Sequence, residues 1–132
     1  MHAFREAVEA GDADAVEALL AQDVVFTSPV VFKPYAGKAI TAAILRGVMR
    51  VFEDFRYVRE ISDPGGRDHA LVFTTRVGDR ELTGCDFLRV NEDGLIDEFM
   101  VMVRPLSGAQ ALAERMGAQF EQIVKEAEAR SV

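Results

Sequence analysis

Three turn signals divide the stretch between Phe55 and Arg104 into four apolar runs, and this pattern constrains the fold more than any other feature. The turns are Asp-Pro-Gly-Gly at 63–66, Gly-Asp at 78–79 and Asn-Glu-Asp-Gly at 91–94. The runs between them are rich in Val, Phe, Leu and Thr, and from Phe55 onward the apolar residues alternate with a period of two. The sequence therefore predicts an antiparallel meander of four strands.

Helical spacing of apolar residues predicts a helical hairpin at the start of the chain. Gly11 supplies a stop for the first helix, and Asp12 supplies an N-cap for the second. The second helix is expected to carry Val16, Leu19 and Leu20 on its apolar side.

A short strand and a third helix are predicted between this hairpin and the meander. Residues 24–27 are all β-branched or aromatic, which favours a strand. Pro29 and Pro34 forbid regular pairing and impose a loop that runs to Gly37 and is expected to border a pocket. An amphipathic helix then covers 39–52.

After the meander, Ser107 and Gln110 form a capping-box pattern ahead of a terminal amphipathic helix. Together these elements predict an α+β fold. We expect a cone-shaped, curved antiparallel sheet packed by the N-terminal helical hairpin and a third helix, plus a C-terminal helix. Residues 1–132 are expected to form a single domain, since a chain of this length can bury about two thirds of its unfolded surface.

Composition narrows the possible partners. The formal net charge of -7 argues against binding to nucleic acid. No stretch approaches the ~20 apolar residues of a membrane span, so we expect a soluble protein without a membrane partner. Cys85 is the only cysteine, which favours a reducing compartment and therefore the cytoplasm. His69 has no second His or Cys at ligand spacing, so neither a metal nor a cofactor is expected.

The two faces of the sheet follow if Gly78–Asp79 and Glu92–Asp93 are both two-residue turns. One face is then apolar except for a single carboxylate in mid-strand, that of Asp86, with Leu71 and Phe99 as its neighbours on the adjacent strands. We predict that this is the concave face and that it lines a pocket.

The opposite face also has an apolar centre, formed by Val72, Cys85, Phe87, Met100 and Met102. Helices can cover only one side of a single sheet, so this face would leave an apolar patch larger than soluble monomers usually tolerate. We predict a homodimer that is sealed through this face. The alternative is that the C-terminal helix covers part of it.

The order of elements and two local motifs resemble the nuclear transport factor 2-like or SnoaL-like superfamily. Residues 9–26 (EAGDADAVEALLAQDVVF) are similar to the opening of ketosteroid isomerases and polyketide cyclases, and residues 86–96 (DFLRVNEDGLI) are similar to the penultimate hairpin of that superfamily. The resemblance covers residues 3–104 and implies the cone fold. It implies no single function, because the superfamily includes enzymes, binding proteins and assembly modules.

Carried over residue by residue, the resemblance implies an incomplete isomerase site. Asp86 matches the protonated aspartate that donates to the substrate oxygen. The tyrosine that shares this role matches Phe4, which has no hydroxyl, and the aspartate base matches Ser28, just before Pro29. A serine without a partner cannot act as a base near neutral pH, so the usual ketosteroid isomerase mechanism is not expected. Whether the chain is an enzyme stays open.

Asp86 has two interpretations. Apolar neighbours disfavour its ionised form, which predicts a raised pKa and a protonated carboxyl. Such a carboxyl could donate a hydrogen bond to a ligand, or act as a catalytic acid that polarises a water molecule. Alternatively, it only hydrogen-bonds Ser28, Tyr57 or a backbone group. Tyr57 either supplies the hydroxyl that Phe4 lacks or is a core residue. Tyr35 either lines the pocket mouth or packs within its loop.

Three functions fit the sequence. The first is a pocket protein that binds a small apolar molecule with a carbonyl or hydroxyl group. The second is a SnoaL-like cyclase, isomerase or hydrolase that uses Asp86 as acid or base, and the third is a dimeric interaction module whose interior is filled by side chains. The predicted pocket residues are Phe4, Ser28, Tyr35, Phe55, Tyr57, Leu71, Phe73, Gly84, Asp86, Phe99 and Val101.

Overall fold

Residues 2–130 of the computed structural model form a curved, unclosed six-stranded sheet with five helices. In chain order the elements are α1 (His2–Glu9), α2 (Ala13–Ala18), β1 (Leu20–Thr27), β2 (Tyr35–Ala36), α3 (Lys38–Val51), β3 (Glu53–Ser62), β4 (Asp68–Val77), β5 (Arg80–Val90), β6 (Ile96–Arg104), α4 (Leu106–Ala118) and α5 (Phe120–Arg130). The strand order is β2-β1-β6-β5-β4-β3. The predicted α+β fold and its four-stranded meander are confirmed. One pairing differs from the antiparallel sheet that was expected, because β1 runs parallel to β6.

The predicted helical hairpin forms around Gly11 and Asp12. Gly11 adopts a φ of 68°, a left-handed conformation that glycine tolerates best, and so lets the chain leave α1. The Asp12 side chain accepts a hydrogen bond from the Ala15 amide at 3.0 Å and caps α2. The second helix is shorter than predicted, because Leu20 belongs to β1, where it is fully buried beside Ile96 of β6.

The first strand and the proline-containing loop are also corrected in part. β1 begins four residues before the predicted 24–27 segment, because its first residues pair with the distant β6. Tyr35 and Ala36, expected in a loop, form a two-residue strand opposite Phe26 and Val25. The prolines therefore limit the pairing to two residues without preventing it.

The register of the first meander hairpin is as predicted. Val77 lies opposite Arg80 across a two-residue turn, and Leu71 lies opposite Asp86. Gly78 in this turn has a φ of 60°, as a tight hairpin turn requires. Because both strands keep their alternation, Asp86 and the apolar residues of β4 share one face of the sheet.

The register of the second meander hairpin is offset by two residues from the prediction. Asp86 lies opposite Val101, and Phe99 lies opposite Leu88. Since side chains alternate with a period of two, an offset of two changes the neighbours of each residue but moves no side chain to the other face.

The offset arises from a loop that is longer than the predicted Glu92–Asp93 turn. The Asn91 side chain accepts hydrogen bonds from the Asp93 amide at 2.9 Å and from the Leu95 amide at 3.0 Å. The Asn91 amide in turn donates to the Leu95 carbonyl at 2.8 Å. Asparagine thus closes a loop from 91 to 95 by side-chain bonds to the backbone.

The C-terminal helix differs from the prediction in its cap and in its continuity. Pro105 occupies the N-cap, no side chain caps α4, and Ser107 lies inside the helix, so the predicted capping box with Gln110 is wrong. Because α4 begins at Leu106, Ser107 is already inside its first turn and cannot serve as the N-cap. The helix also ends at Ala118, and a second helix begins at Phe120.

Gln119, between α4 and α5, is fixed by hydrogen bonds to α3. Its side-chain nitrogen donates to the Gly47 carbonyl at 2.8 Å, and its oxygen accepts from Arg50 at 2.9 Å. A Cβ at Gly47 would stand 2.9 Å from Cδ1 of Ile123, so the glycine lets α5 pack closely along α3. The break sets the direction in which α5 runs along α3.

We call the face of the sheet that the helices cover the inner face, and the opposite face the outer face. The inner face carries Leu71, Phe73, Asp86, Phe99 and Val101, all buried. The outer face carries the five residues of the predicted dimer contact, Val72, Cys85, Phe87, Met100 and Met102. Of these, Phe87 and Met102 are 38% and 54% exposed, and the other three are half-buried, so none of the helices within residues 2–130 seals this face.

Candidate functional site

A cavity of about 680 Å³ lies between the inner face and the helices. Its walls come from the sheet, from each of the helices α1 to α5, and from the loop between β1 and β2. Most of the lining is apolar, and seven phenylalanines belong to it: Phe4, Phe26, Phe52, Phe55, Phe73, Phe99 and Phe120. The interior is therefore not filled by side chains, which was the expectation for a pure interaction module.

Most of the predicted pocket residues meet at this cavity. Those that line it are Phe4, Ser28, Tyr35, Phe55, Tyr57, Phe73, Asp86, Phe99 and Val101. Leu71 and Gly84 lie outside the lining, which corrects the prediction for these two positions. Leu71 is fully buried in the core, and the ring of Phe73 lies over Gly84, where a Cβ would stand 2.3 Å from the Phe73 Cζ atom.

Four aromatic rings form one continuous wall of the cavity. Phe55 stacks on Phe73 with ring centroids 4.9 Å apart, and it meets Tyr57 edge to face at 4.9 Å. Phe52, just after α3, stacks on Phe55 at 5.8 Å. This wall holds Tyr57 in one orientation, since contacts on its ring restrict the side chain.

The polar centre of the cavity is a hydrogen bond between two buried side chains. Tyr57 of β3 donates from its hydroxyl to Oδ2 of Asp86 on β5 at 2.6 Å. Tyr57 is 5% exposed and Asp86 is 6% exposed. The sequence suggested that a purely structural Asp86 would hydrogen-bond Ser28, Tyr57 or a backbone group. Of these, Tyr57 is its partner. Asp86 nevertheless still borders the cavity.

Burial governs the protonation of this pair. Loss of solvation raises the pKa of Asp86 to about 7, although the hydrogen bond from Tyr57 opposes the rise. Burial and the neighbouring Asp86 charge raise the pKa of Tyr57 as well, so its hydroxyl stays protonated and remains the donor. Near neutral pH the Asp86 carboxyl is therefore present in both protonated and ionised forms. Among the described residues, its second oxygen, Oδ1, has no hydrogen-bond partner.

The other polar groups of the lining lie toward its opening. The Ser28 hydroxyl accepts a hydrogen bond from the Val30 amide at 3.1 Å, which makes it part of a local turn. Glu9 lies 3.4 Å from Arg5, and Tyr35 is half-buried in β2. No Lys, Arg or His belongs to the lining formed by residues 2–130. The cavity consequently offers no positive charge to a ligand.

Two other reactive side chains lie outside the cavity. His69 is bonded to the Ser62 hydroxyl at 2.7 Å and to the Gly66 carbonyl at 2.9 Å, so it ties the β3–β4 hairpin together. Cys85 lies on the outer face, and burial raises the pKa of its thiol, which disfavours the reactive thiolate. Within residues 2–130 no group of three His, Cys, Asp or Glu side chains is placed to hold a metal ion. No helix in the same range is long and apolar enough to cross a bilayer.

Sequence reasoning missed the part of the lining that the helices contribute. Val48 and Ile123 already stood in predicted amphipathic helices, so helical spacing could have marked them as inward-facing. Met116 and Phe120 line the cavity on either side of the break at Gln119, and no local sequence pattern predicted that break.

Comparison with known proteins identifies proteins that are similar to this chain. The family model described as a SnoaL-like domain matches residues 1–99. A steroid delta-isomerase from Pseudomonas aeruginosa is 43% identical, with a TM-score of 0.86 over 92% of this chain and 89% of that one. A bacterial protein with a cystatin-like fold from Silicibacter pomeroyi DSS-3 is 36% identical, with a TM-score of 0.89 over 98% and 91%.

A third solved structure shows the likeness in fold alone. An NTF2-like protein from Burkholderia xenovorans LB400 is 17% identical, with a TM-score of 0.65 over 83% of this chain and 87% of that one. Among curated proteins, none matches this chain.

Proposed function

Because this chain belongs to the SnoaL-like domain family, we propose that its cavity binds a neutral, mostly apolar molecule whose carbonyl or hydroxyl oxygen hydrogen-bonds to Asp86. The observation that carries this proposal is the buried bond between Tyr57 and Asp86 in a cavity that is otherwise largely apolar. A carboxyl group is costly to bury, and among residues 2–130 no group forms a hydrogen bond to its Oδ1 atom.

The chemistry of recognition follows from how this pair is bonded. Tyr57 occupies Oδ2 as a donor, so the acidic proton of Asp86 resides on Oδ1 when the carboxyl is neutral. In that form Oδ1 donates to a ligand carbonyl, and in the ionised form it accepts from a ligand hydroxyl. With a pKa of about 7, a ketone ligand should bind more tightly below neutral pH than above it.

The dimensions and charge of the cavity define the rest of the ligand. A volume of about 680 Å³ lies within the range of roughly 300–1,000 Å³ that is typical of small-molecule sites. The many phenylalanines favour a flat or polycyclic body. The absence of basic side chains from the described lining, together with Glu9 and Asp86, disfavours an anionic ligand.

The proposal is tested with three matched probes: a neutral polycyclic ketone, the hydrocarbon that lacks its oxygen, and the corresponding carboxylate. We expect the ketone to bind roughly fivefold more tightly than the hydrocarbon, as one hydrogen bond of about 1 kcal/mol predicts, and the carboxylate to bind least. Asp86→Leu should remove the preference for the ketone, whereas Asp86→Asn, which keeps a donor, should retain part of it. Equal binding of ketone and hydrocarbon to the unmodified protein would contradict the proposal.

Native mass spectrometry provides an independent test. Protein purified without added ligand should retain a neutral co-purifying molecule, and the Asp86→Leu variant should retain less of it. An interior that collapses and carries no molecule in either protein would favour the interaction module instead.

A second candidate function is isomerisation of a ketone, and the observation that favours it is the 43% identity to the Pseudomonas aeruginosa steroid delta-isomerase. Asp86 would supply the acid. Ser28 stands at the base position, and its hydroxyl is bonded only to the local Val30 amide. A hydroxyl in that setting is a poor base near neutral pH, so we expect turnover of an unsaturated ketosteroid to be slow or absent.

Substitution at the same position separates the two candidates. Ser28→Asp, which introduces a carboxylate at the base position, should raise ketosteroid turnover measured by ultraviolet absorbance, with Ser28→Ala as the matched control. Rapid turnover by the unmodified protein that survives Ser28→Ala and is lost in Asp86→Asn would establish an enzyme that uses another base.

We further propose that two copies of the chain associate through the outer face. The exposed Phe87 and Met102 support this, because they extend a half-buried apolar centre at Val72, Cys85 and Met100. Size-exclusion chromatography with light scattering should report twice the chain mass of 14.6 kDa. A monomer at micromolar concentration would remove this part of the proposal.

A further inference from the structure

The loop between β1 and β2 ends in a side chain with no packing of its own. Phe32 is 99% exposed, and its neighbour Val31 is 41% exposed. A phenylalanine side chain can bury roughly 150–250 Å², so leaving all of it in water forfeits a large hydrophobic contribution. Such a side chain calls for a partner outside the described fold.

This loop stands at the opening of the cavity. Val30 and Val31 line the cavity, and so does Phe120 of α5, which is 42% exposed. Glu9 and Gly11, at the end of α1, are exposed members of the same lining. Lining residues that also reach solvent mark the mouth, so Phe32 projects from its rim.

Two lysines lie within or just after the same loop in the sequence. The chain contains three lysines, and two of them, Lys33 and Lys38, follow Phe32 within six residues. The salt bridges formed among residues 2–130 use arginines and His2 rather than these lysines. The chain as a whole carries a net charge of -7, and Glu9 also lies at the mouth, but Lys33 directly follows Phe32 and Lys38 begins α3 shortly after it.

We propose that Phe32 inserts into the surface of an anionic lipid bilayer while Lys33 and Lys38 meet its phosphate groups, so that the cavity opens toward the membrane. An aromatic or aliphatic side chain combined with lysines is the composition that binds membrane interfaces. An apolar ligand would then pass between bilayer and cavity without crossing water.

A bilayer fits this loop better than a second protein does. A stable protein interface buries about 800 Å² on each partner, far more than Phe32 and Val31 can supply. A bilayer requires no minimum area, because a few inserted side chains and local charge act additively. The sequence led us to expect no membrane partner on the ground that no segment can span a bilayer, but docking by a loop tip needs no spanning segment.

The chain has no tryptophan, so Phe32→Trp gives a fluorescence signal from this position alone. Vesicles of phosphatidylcholine with phosphatidylglycerol should shift its emission to shorter wavelength, and lipids brominated on their acyl chains should quench it. Pure phosphatidylcholine should give a smaller shift. The matched control is Phe87→Trp on the outer face, whose emission should not change with either vesicle.

Binding of the unlabelled protein is followed by vesicle flotation. Phe32→Ser, at a side chain that makes no contacts to lose, should fold normally and lose most of the binding, and the double substitution Lys33→Gln and Lys38→Gln should lose the preference for anionic vesicles. No shift and no flotation would overturn the proposal.

Two further outcomes would also overturn it. Emission of Phe32→Trp that is already shifted in buffer and depends on protein concentration would assign the loop to a second copy of the chain. A shift that appears only with the neutral ketone probe would make it a cover for the cavity. None of these results bears on ligand recognition by Asp86, which lies inside the cavity.

Discussion

The inner and outer faces of the sheet are built from alternating residues of the same strands, yet they handle charge in opposite ways. On the inner face, the carboxyl of Asp86 is buried and bonded to Tyr57. On the outer face, Arg89 lies 3.4 Å from Glu98 and 3.7 Å from Asp68, and all three side chains are exposed. Solvated pairs of this kind contribute little to stability, whereas a buried carboxyl is sensitive to every neighbour.

This contrast matches the two roles that we propose for the sheet. The inner face combines an enclosed apolar space with a group whose protonation changes near neutral pH, which suits ligand chemistry. The outer face combines a modest apolar centre with a charged rim, which suits the association of two copies that we propose. A substitution on the inner face should therefore change stability and its pH dependence, and a substitution on the outer face should change assembly.

The largest difference between the faces should appear on truncating a side chain in each. Phe73→Ala on the inner face should lower the free energy of unfolding by about 3–5 kcal/mol, because Phe73 is 1% exposed and packs against Phe52, Phe55 and Tyr57. Met102→Ala, at a side chain 54% exposed, should cost less than about 1 kcal/mol under conditions that keep the protein monomeric. Urea denaturation measures both, and equal losses would contradict the division between the faces.

The next effect concerns pH and the Asp86 carboxyl. Its pKa is about 7 in the folded protein and near 4 in an unfolded chain, so the folded state binds more protons between these values. Stability should therefore fall as pH rises from about 4 through about 7, by at most roughly 4 kcal/mol. Asp86→Asn cannot titrate, so relative to the unmodified protein it should gain stability between pH 5 and pH 8.

Tyr57→Phe sharpens this test. Removing the donor should raise the pKa of Asp86 further, since the Tyr57 hydrogen bond lowers it. The decline in stability should then extend to higher pH, as followed by denaturation or by NMR titration of the carboxyl. Identical pH profiles for the unmodified protein and Asp86→Asn would show that the carboxyl is not perturbed by burial.

A smaller effect is expected from glycine on the inner face. A Cβ at Gly84 would stand 2.3 Å from Phe73 Cζ and 2.8 Å from the Met102 carbonyl, so Gly84→Ala should destabilise by about 1–3 kcal/mol. Gly117→Ala is the matched control, because nothing lies within 4 Å of its Cβ position in α4. Helix propensity predicts that it is neutral or stabilising by up to about 1 kcal/mol. Thermal unfolding of the two variants measures the difference, and equal stabilities would contradict the cost of crowding at Gly84.

The smallest effect should come from the ion pairs of the outer face. Arg89→Gln removes the contacts to Asp68 and Glu98, but since all three side chains are exposed, the loss of stability should stay below about 1 kcal/mol. The difference from the unmodified protein should shrink further in high salt. A loss as large as that of Phe73→Ala would show that this rim is a structural element in its own right.

The sequence predicted the features that depend on alternation and short-range turn chemistry. The turn at Gly78–Asp79 set the position of Asp86 opposite Leu71, and alternation alone placed Asp86 on the inner face. Even the wrong register of the second hairpin kept this assignment, because the offset was two residues.

The features that were not predicted from the sequence depend on contacts between distant residues or on a particular side-chain hydrogen bond. The loop after β5 is longer than two residues because Asn91 bonds to backbone amides, and the spacing of the turn residues gives no sign of this. The bond from Tyr57 to Asp86 requires β3 and β5 to flank β4 in one sheet. The break at Gln119 is held by atoms of Gly47 and Arg50, some seventy residues earlier.

The parallel pairing of β1 with β6 also sets an order of assembly. Leu20 lies beside Ile96 and Thr27 beside Met100, so β1 gains its main sheet partner only after most of the chain exists. During synthesis, β1 cannot pair with β6 until β6 has been made, whereas the hairpins of the meander can form from local contacts as soon as their strands exist. In refolding experiments followed by hydrogen exchange, amides of β4 and β5 should become protected before those of β1.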